Sequence, residues 1–245
     1  MIFEVPHDRL MTYLPLFKDH PHYQYLKVRY HSSKGFVDDL ENPKNMLLFL
    51  DEDEGEYFLA GNRKSATIKE LLERIPARKA IYAPNRDWVP VLREQWDSLV
   101  ENTRFIFSSN RLSLSAIQKL KKGLPIGFIV EKMTLAAAHQ ISFFQTYPGG
   151  AEAFIQEGIG FLVKKSDAIV SWAWTSPAYN YEIGVITEPG YQQKGLATVI
   201  CAHLIEHCLK HGIRPRWDAE NEISAHLALK LGFTNPQPNK YYFWE

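Results

Sequence analysis

Two cysteines are all that 245 residues carry, and both, Cys201 and Cys208, fall seven apart on one predicted helix. Two turns of helix separate Cα atoms by about 10 Å, beyond the reach of a disulfide, so the pair reads as buried free thiols. Net charge is missing too. Lys plus Arg and Asp plus Glu both number 28, which leaves no global field to recruit nucleic acid or an anionic membrane surface. No apolar run approaches the roughly 18 residues of a membrane span, and the start of the chain has no basic stretch followed by an apolar one. The expectation is a soluble, cytoplasmic protein whose partner is a small molecule, with neither nucleic acid nor membrane. What the chain does have is 45% hydrophobic residues, enough for one large or two small cores. Two units are expected, residues 1–112 and 113–245.

Apolar periodicity orders the first unit as strands at 46–50 and 56–60 around an acidic turn at 51–55, a helix at 67–75 stopped by Pro76, a strand at 79–83, a helix at 88–100 and a strand at 104–107. After a connecting helix at 113–121, the second unit reads as a strand at 126–132, a helix from Leu135 with Thr134 as N-cap, and a helix at 151–156. A meander of strands at 159–165, 169–175 and 181–187 follows, then a helix at 196–211, a strand at 214–218, a helix at 223–231 and a closing strand at 241–244. The ββαβαβ order of the first unit echoes the second from Ile169 onward, and Asn85 precedes its helix as Asn221 precedes the last one. The first unit is thus either a degenerate copy of the second or an unrelated smaller α/β cap.

Chemistry concentrates in Gln192-Gln193-Lys194-Gly195-Leu196-Ala197, a QxxGxA turn between a strand and a helix. A helix start carries unpaired N–H groups and the positive end of the dipole. Gly195 has no Cβ, so main-chain N–H groups from Gln193 to Thr198 can approach a phosphate closely, with Lys194 adding charge at the rim. The matching turn of the first unit, 61–66, lacks the motif.

Thr187-Glu188-Pro189-Gly190-Tyr191 runs in register into that turn, and a second block, Asn221 to Gly232-Phe233, supplies an Asn-led helix closing in Gly-Phe. Over roughly the last 120 residues these blocks resemble the GNAT superfamily of acyl-coenzyme-A-dependent N-acetyltransferases. Gly158-Ile159-Gly160-Phe161, Glu182-Ile183-Gly184, Gly195-Leu196-Ala197 and Trp217-Asp218 look like the subgroup that includes the zwittermicin A resistance acetyltransferase. The resemblance implies an α/β (α+β) fold with a central mixed, mostly antiparallel twisted sheet flanked by helices. It also implies acetyl-coenzyme A as cosubstrate, an amine acceptor, and no metal. The pyrophosphate would sit on Gln192, Gln193, Lys194, Gly195, Leu196, Ala197 and Thr198, the pantetheine arm along Ile186 and Thr187, and Asn221 beside the arm or the acceptor. Asn221 reads equally as a plain N-cap.

The proton chemistry is less well marked. Where many members of the family place a tyrosine seven residues after the Asn, this chain has Ala228. Ser224, one turn earlier, is a candidate contributor, although such a hydroxyl also suits a bond to the helix backbone. Glu182 is the candidate base, with Asp218 as a second and Tyr241 and Tyr242 as reserve acids; alternation places Glu182 on the face of Gly184 and Ile186, where it reads equally as a solvated strand residue. His203-Leu204-Ile205-Glu206-His207 fits HxxEH, a spacing of some zinc peptidases. Its histidines border the apolar stripe of Ala197, Ile200, Leu204 and Cys208, so a solvated helix flank is the preferred reading. Trp172, Trp174, Tyr147 and Tyr179 could line an aromatic pocket, with sheet packing the plainer account of the tryptophans. The sequence thus predicts direct, metal-free acetyl transfer to a primary amine of a small molecule. The alternative is a non-catalytic acyl-coenzyme-A sensor, and the oligomeric state, a homodimer included, stays open.

Overall fold

Alternation and helical spacing become two mixed α/β units in the computed structural model, which describes residues 1–30, 33–50 and 55–245. The acidic tip at 51–54 lies outside the described residues. One unit comprises Met1–Thr103 with Lys240–Glu245, the other Arg104–Asn239.

The first unit runs β1 (Phe3–Val5), α1 (Leu10–Tyr13), α2 (Tyr23–Arg29), β2 (Ser33–Val37), β3 (Asn45–Leu50), β4 (Glu56–Gly61), α3 (Thr67–Leu72), β5 (Ala80–Tyr82) and α4 (Val89–Gln95). Strands β1 to β4 pair antiparallel in sequence order, and β5 joins β4 in parallel, as the α3 crossover requires. β3 is apolar nearly throughout because both its faces are covered. Met46, Leu48 and Leu50 pack with Leu10, Leu14, Phe17 and Leu26 of the N-terminal helical region. Leu47 packs with Ile68, Leu71 and Leu92 on the other side. The helix expected at 88–100 ends early. Trp96 is extended at φ −135° and ψ 112°, its ring stacks on Trp244 at 5.7 Å, and the chain then enters the ten-residue strand β6 (Leu99–Ser108). The spacing of Leu92 and Trp96 fits a helix, but the tertiary stack decides the break.

The second unit adds α5 (Leu114–Lys121), β7 (Ile129–Lys132), α6 (Leu135–Ala138), α7 (Ser142–Gln145), α8 (Gly150–Glu157), β8 (Ile159–Lys165), β9 (Ala168–Thr175), β10 (Gly184–Thr187), α9 (Leu196–Lys210), β11 (Trp217–Ala219), α10 (Glu222–Leu231) and β12 (Thr234–Trp244). β12 is longer than the expected 241–244 although Pro236 and Pro238 interrupt its donors. Four strands pair antiparallel in the order β10-β9-β8-β7. One face of this sheet meets α9 and α5 through Val163, Ala173, Ile200, Leu204 and Ile117. The other meets α6, α7 and α8 through Leu162, Trp172, Trp174, Phe144 and Phe154. β6 pairs with β11 inside the second unit, whereas Tyr242 of β12 pairs with Ile81 of β5 inside the first. Among the described residues no helix is long and apolar enough to cross a membrane.

A buried histidine ties the first unit to pH. His20 is 5% exposed, its Nδ1 accepts the His22 N–H at 3.1 Å and its Nε2 lies 3.3 Å from the Tyr82 carbonyl. An accepting Nδ1 leaves the proton on Nε2, which donates to Tyr82, so the ring is neutral and fully used. Burial lowers its pKa from 6.5 to about 4. Between those values the unfolded chain takes up a proton that the folded chain refuses, so stability falls as pH falls from 6.5 to 4 and the loss is complete below. The full effect is about 3 kcal/mol. Urea midpoints of wild type should drop across that window, and His20→Gln should flatten the slope.

Candidate functional site

β10 is the edge of its sheet, and its outer side is closed over only part of its length. The Ile183 N–H donates to the Arg216 carbonyl at 3.0 Å and the Arg216 N–H to Tyr181 at 2.9 Å, forming one parallel bridge between Glu182 and Arg216. The Glu188 N–H instead donates to Val170 of β9 at 3.0 Å. Main-chain groups alternate sides along a strand, so even-numbered residues here address β9 and odd-numbered ones the other side. Beyond Ile183, Val185 and Thr187 therefore turn their main-chain groups to an edge that carries no strand among the described residues. The Thr187 carbonyl receives Gln192 Nε2 at 3.2 Å. Ile186 directs its main chain to β9, where Ser171 Oγ donates to its carbonyl at 2.9 Å, and its side chain is 41% exposed. Sequence reasoning named Ile186 and Thr187 but not Val185; the parity of the ladder, the missing signal, requires knowing which bonds tie β10 to β9.

That edge runs into the start of α9. A short turn at Pro189–Tyr191 is followed by Gln193 at φ 60° and Gly195 at φ 79°, both left-handed. A Cβ on Gly195 would meet nothing within 4 Å, so backbone conformation rather than crowding favours glycine there. Among the described residues no side chain caps the helix, which leaves the first N–H groups of a 15-residue helix without a capping partner there. Leu196 is 1% and Thr198 8% exposed, so the first turn is anchored in the core. Gln192, Gln193, Lys194 and Gly195 are exposed and Ala197 is half-buried. The result is a rigid, outward-facing cluster of donors at the positive end of a helix dipole.

The candidate proton carriers gather on one face of the sheet. Gly184 and Ile186 stand opposite Trp174 and Trp172 of β9, so Glu182 shares by alternation the face that α6 to α8 cover, away from α9. Arg216 lies across the parallel bridge from it, and Asp218, two residues on, has the same orientation. Asp218 Oδ1 is held by Arg104 Nε at 3.1 Å, the side chains 16% and 25% exposed. On α10, Asn221 Oδ1 accepts the Ser224 N–H at 2.9 Å, so Asn221 does act as N-cap. Ala228 is fully buried, whereas Tyr241 and Tyr242 pack in the two cores of the first unit.

The HxxEH residues are spent on packing and ion pairs. Glu206, 8% exposed, binds Lys121, Lys210 at 2.9 Å and Gln118 at 3.0 Å, and these partners pull its pKa down to about 2. Burial lowers His203 to about 4, and the His207 ring stacks on His211 at 4.2 Å. Among the described residues no group of three or more His, Cys, Asp or Glu side chains is arranged to hold a metal ion. Cys201 and Cys208 are fully buried, and burial raises both thiols, Cys208 to about 12. Trp174 lies tilted against Phe143 at 4.4 Å and Tyr147 approaches Tyr179 at 5.7 Å. The Tyr147 hydroxyl donates to Glu157 at 2.6 Å.

Comparison with known proteins follows the same outline. The family model described as GNAT acetyltransferase matches residues 15–242. YdfB of Bacillus subtilis strain 168, named an uncharacterized N-acetyltransferase, is 27% identical over 222 residues, 85% of this chain and 84% of its own. A GCN5-related N-acetyltransferase-like protein from Streptococcus suis 89/1591 superposes with a TM-score of 0.80 at 25% identity, covering 97% of this chain and 99% of its own. A tandem GNAT protein from the clavulanic acid biosynthesis pathway shares the fold, with a TM-score of 0.60 at 10% identity over 100% of this chain and 98% of its own.

Gly184 tests the packing beneath the site. A Cβ there would fall 2.2 Å from the Trp174 ring, an overlap that forces the indole aside. Gly184→Ala should cost about 2 kcal/mol, read as a lower urea midpoint. Gly190→Ala, where a Cβ meets nothing within 4 Å, should leave the midpoint in place.

Proposed function

The chain belongs to the GNAT acetyltransferase family, and from that premise we propose that it moves the acetyl group of acetyl-coenzyme A directly to a primary amine of a small molecule. The observation that carries the reading is the open outer edge of β10 leading into the uncapped start of α9. A long ligand with an anion at one end and amide groups along its arm matches both. The N–H groups from Gln193 to Thr198, with Lys194 at the rim, would hold the pyrophosphate. Val185 and Thr187 would pair with the arm as an added strand, and strand addition tolerates varied side chains. Gln192, bonded to the Thr187 carbonyl, would border the pyrophosphate end, and Asn221 would stand beside the arm or the acceptor.

When bound, acetyl-coenzyme A supplies a thioester, an electrophilic carbonyl attached to a thiol leaving group. The chain must bring a neutral amine to it, so a base has to remove the proton that an amine carries at neutral pH. Glu182 fits by its place on the face of the sheet away from α9, with Asp218 on the same face. A covalent acetyl-cysteine route is poorly supported, since both thiols are buried within α9 and shifted away from the thiolate. The short motifs at 158–161, 182–184 and 217–218 support kinship with the zwittermicin A resistance acetyltransferase. For the first unit, β3 and β4 antiparallel with β5 parallel, followed by α4 and a strand, support the reading of a degenerate copy of β9, β10, β11 and α10.

Gly195→Glu adds a carboxylate where the pyrophosphate would sit and forces a side chain onto a left-handed backbone. Coenzyme A affinity, measured by calorimetry, should fall at least about a hundredfold, roughly 2.7 kcal/mol, while Gly190→Glu keeps most of it. Unchanged affinity in the Gly195 variant sinks the cradle. For the reaction, thiol release from acetyl-coenzyme A over a broad amine panel should identify an acceptor, and Glu182→Gln should slow that turnover about a hundredfold with little effect on coenzyme A binding. Tight binding with no transfer to any amine would leave only the sensor.

A further inference from the structure

The departing sulfur needs a partner, and the position where a tyrosine is expected holds the buried methyl group of Ala228. Ser224 carries the only hydroxyl on α10. Its oxygen accepts a hydrogen bond from Trp217 Nε1 at 3.1 Å, and its N–H is taken by Asn221. Its own hydroxyl proton has no acceptor among the described residues. A serine inside a helix commonly spends that proton on the carbonyl one turn back; this one does not. Trp217 is 2% exposed in the core, so the indole is fixed and dictates which lone pair of Ser224 is used. The O–H is left as an oriented, unspent donor in the first turn of a helix, where the dipole favours negative charge.

Its place suits the sulfur. The gap beside β10 closes at the Ile183 to Arg216 hydrogen bond, and Trp217 is the next residue. From Thr187 to Ile183 is four residues, about 13 Å of strand, so an arm anchored at α9 and extended along β10 ends at this closure. We infer that the Ser224 hydroxyl, held in position by Trp217 Nε1, is the hydrogen-bond donor to the coenzyme A sulfur, with Ser224 the catalytic residue and Trp217 the positioning residue. The inference rests on the coenzyme A reading above. No bond to Ser224 is made or broken. The C–S electron pair stays on sulfur as that bond opens, the serine keeps its proton because an aliphatic hydroxyl holds it far more tightly than a thiol does, and solvent supplies the proton the sulfur finally takes. A donor to the charged form lowers the thiol pKa.

The test uses free coenzyme A bound to the full chain and needs no acceptor. Thiolate absorbance in the ultraviolet is titrated against pH for wild type, Ser224→Ala, Ser224→Thr and Trp217→Phe, with thermal melts confirming that each variant is folded. Wild type should bind the thiol with a lowered pKa. Ser224→Ala should raise it by about one unit, a tenfold loss of thiolate, with unchanged affinity for the rest of the molecule, and Ser224→Thr should restore it. Trp217→Phe should shift it the same way if it folds; otherwise the Ser224 pair decides. Equal thiol pKa in wild type and Ser224→Ala overturns the inference while leaving the cradle standing. A folded Trp217→Phe at the wild-type value overturns the positioning role. Wild type that does not bind coenzyme A overturns both readings at once, by loss of binding rather than by an unmoved titration.

Discussion

Two main-chain hydrogen bonds, Ile183 to Arg216 and Arg216 to Tyr181, set the geometry on which the candidate site depends. They join the segments that lead into β10 and β11 by a single bridge, and among the described residues the two strands themselves do not pair. A longer ladder would have covered Val185 and Thr187 and left a continuous sheet with no track beside it. A ladder absent altogether would have separated Glu182 from Arg216 and Asp218. One bridge is enough to bring the charged groups to one face and short enough to leave an edge open.

The second constraint is rigidity at the head of α9. An uncapped helix start is a common feature of protein surfaces and binds little if it frays. Here Leu196 and Thr198 are buried immediately behind the exposed turn, and Gln193 and Gly195 in left-handed conformation aim successive groups outward. The donors are thereby held in place by the packing behind them, so an anion bound there would not have to order them. The same helix carries the HxxEH residues. Glu206 faces Lys121 of α5 rather than two imidazoles, and its ion pairs serve the helix packing.

Much of this was legible in the residues. QxxGxA located the helix start, the alternation of Glu182, Gly184 and Ile186 assigned their common face, and Asn221 before α10 announced a cap that is present. The misses have physical causes. The helix that spacing drew through 88–100 breaks at Trp96 because stacking on Trp244 outweighs local propensity. β12 extends well before Tyr241, through a segment where Pro236 and Pro238 have no N–H to donate. Which main-chain groups of β10 face its outer side went unread because that depends on the strand's partner, which no local pattern reveals.

What the sequence by itself determined is the set of local devices: a glycine where the chain turns left-handed, apolar stripes that bury α9, an Asn cap, and the carboxylates of Glu182 and Asp218 at alternating strand positions. These follow from short-range geometry, which a run of ten residues already contains. Tertiary structure alone decided which of them meet. The pairing of Asp218 with Arg104 and the single bridge between Glu182 and Arg216 join residues whose proximity is created by long-range packing. Such contacts arise only after the loops between them close, so the pattern of any one segment carries no trace of them.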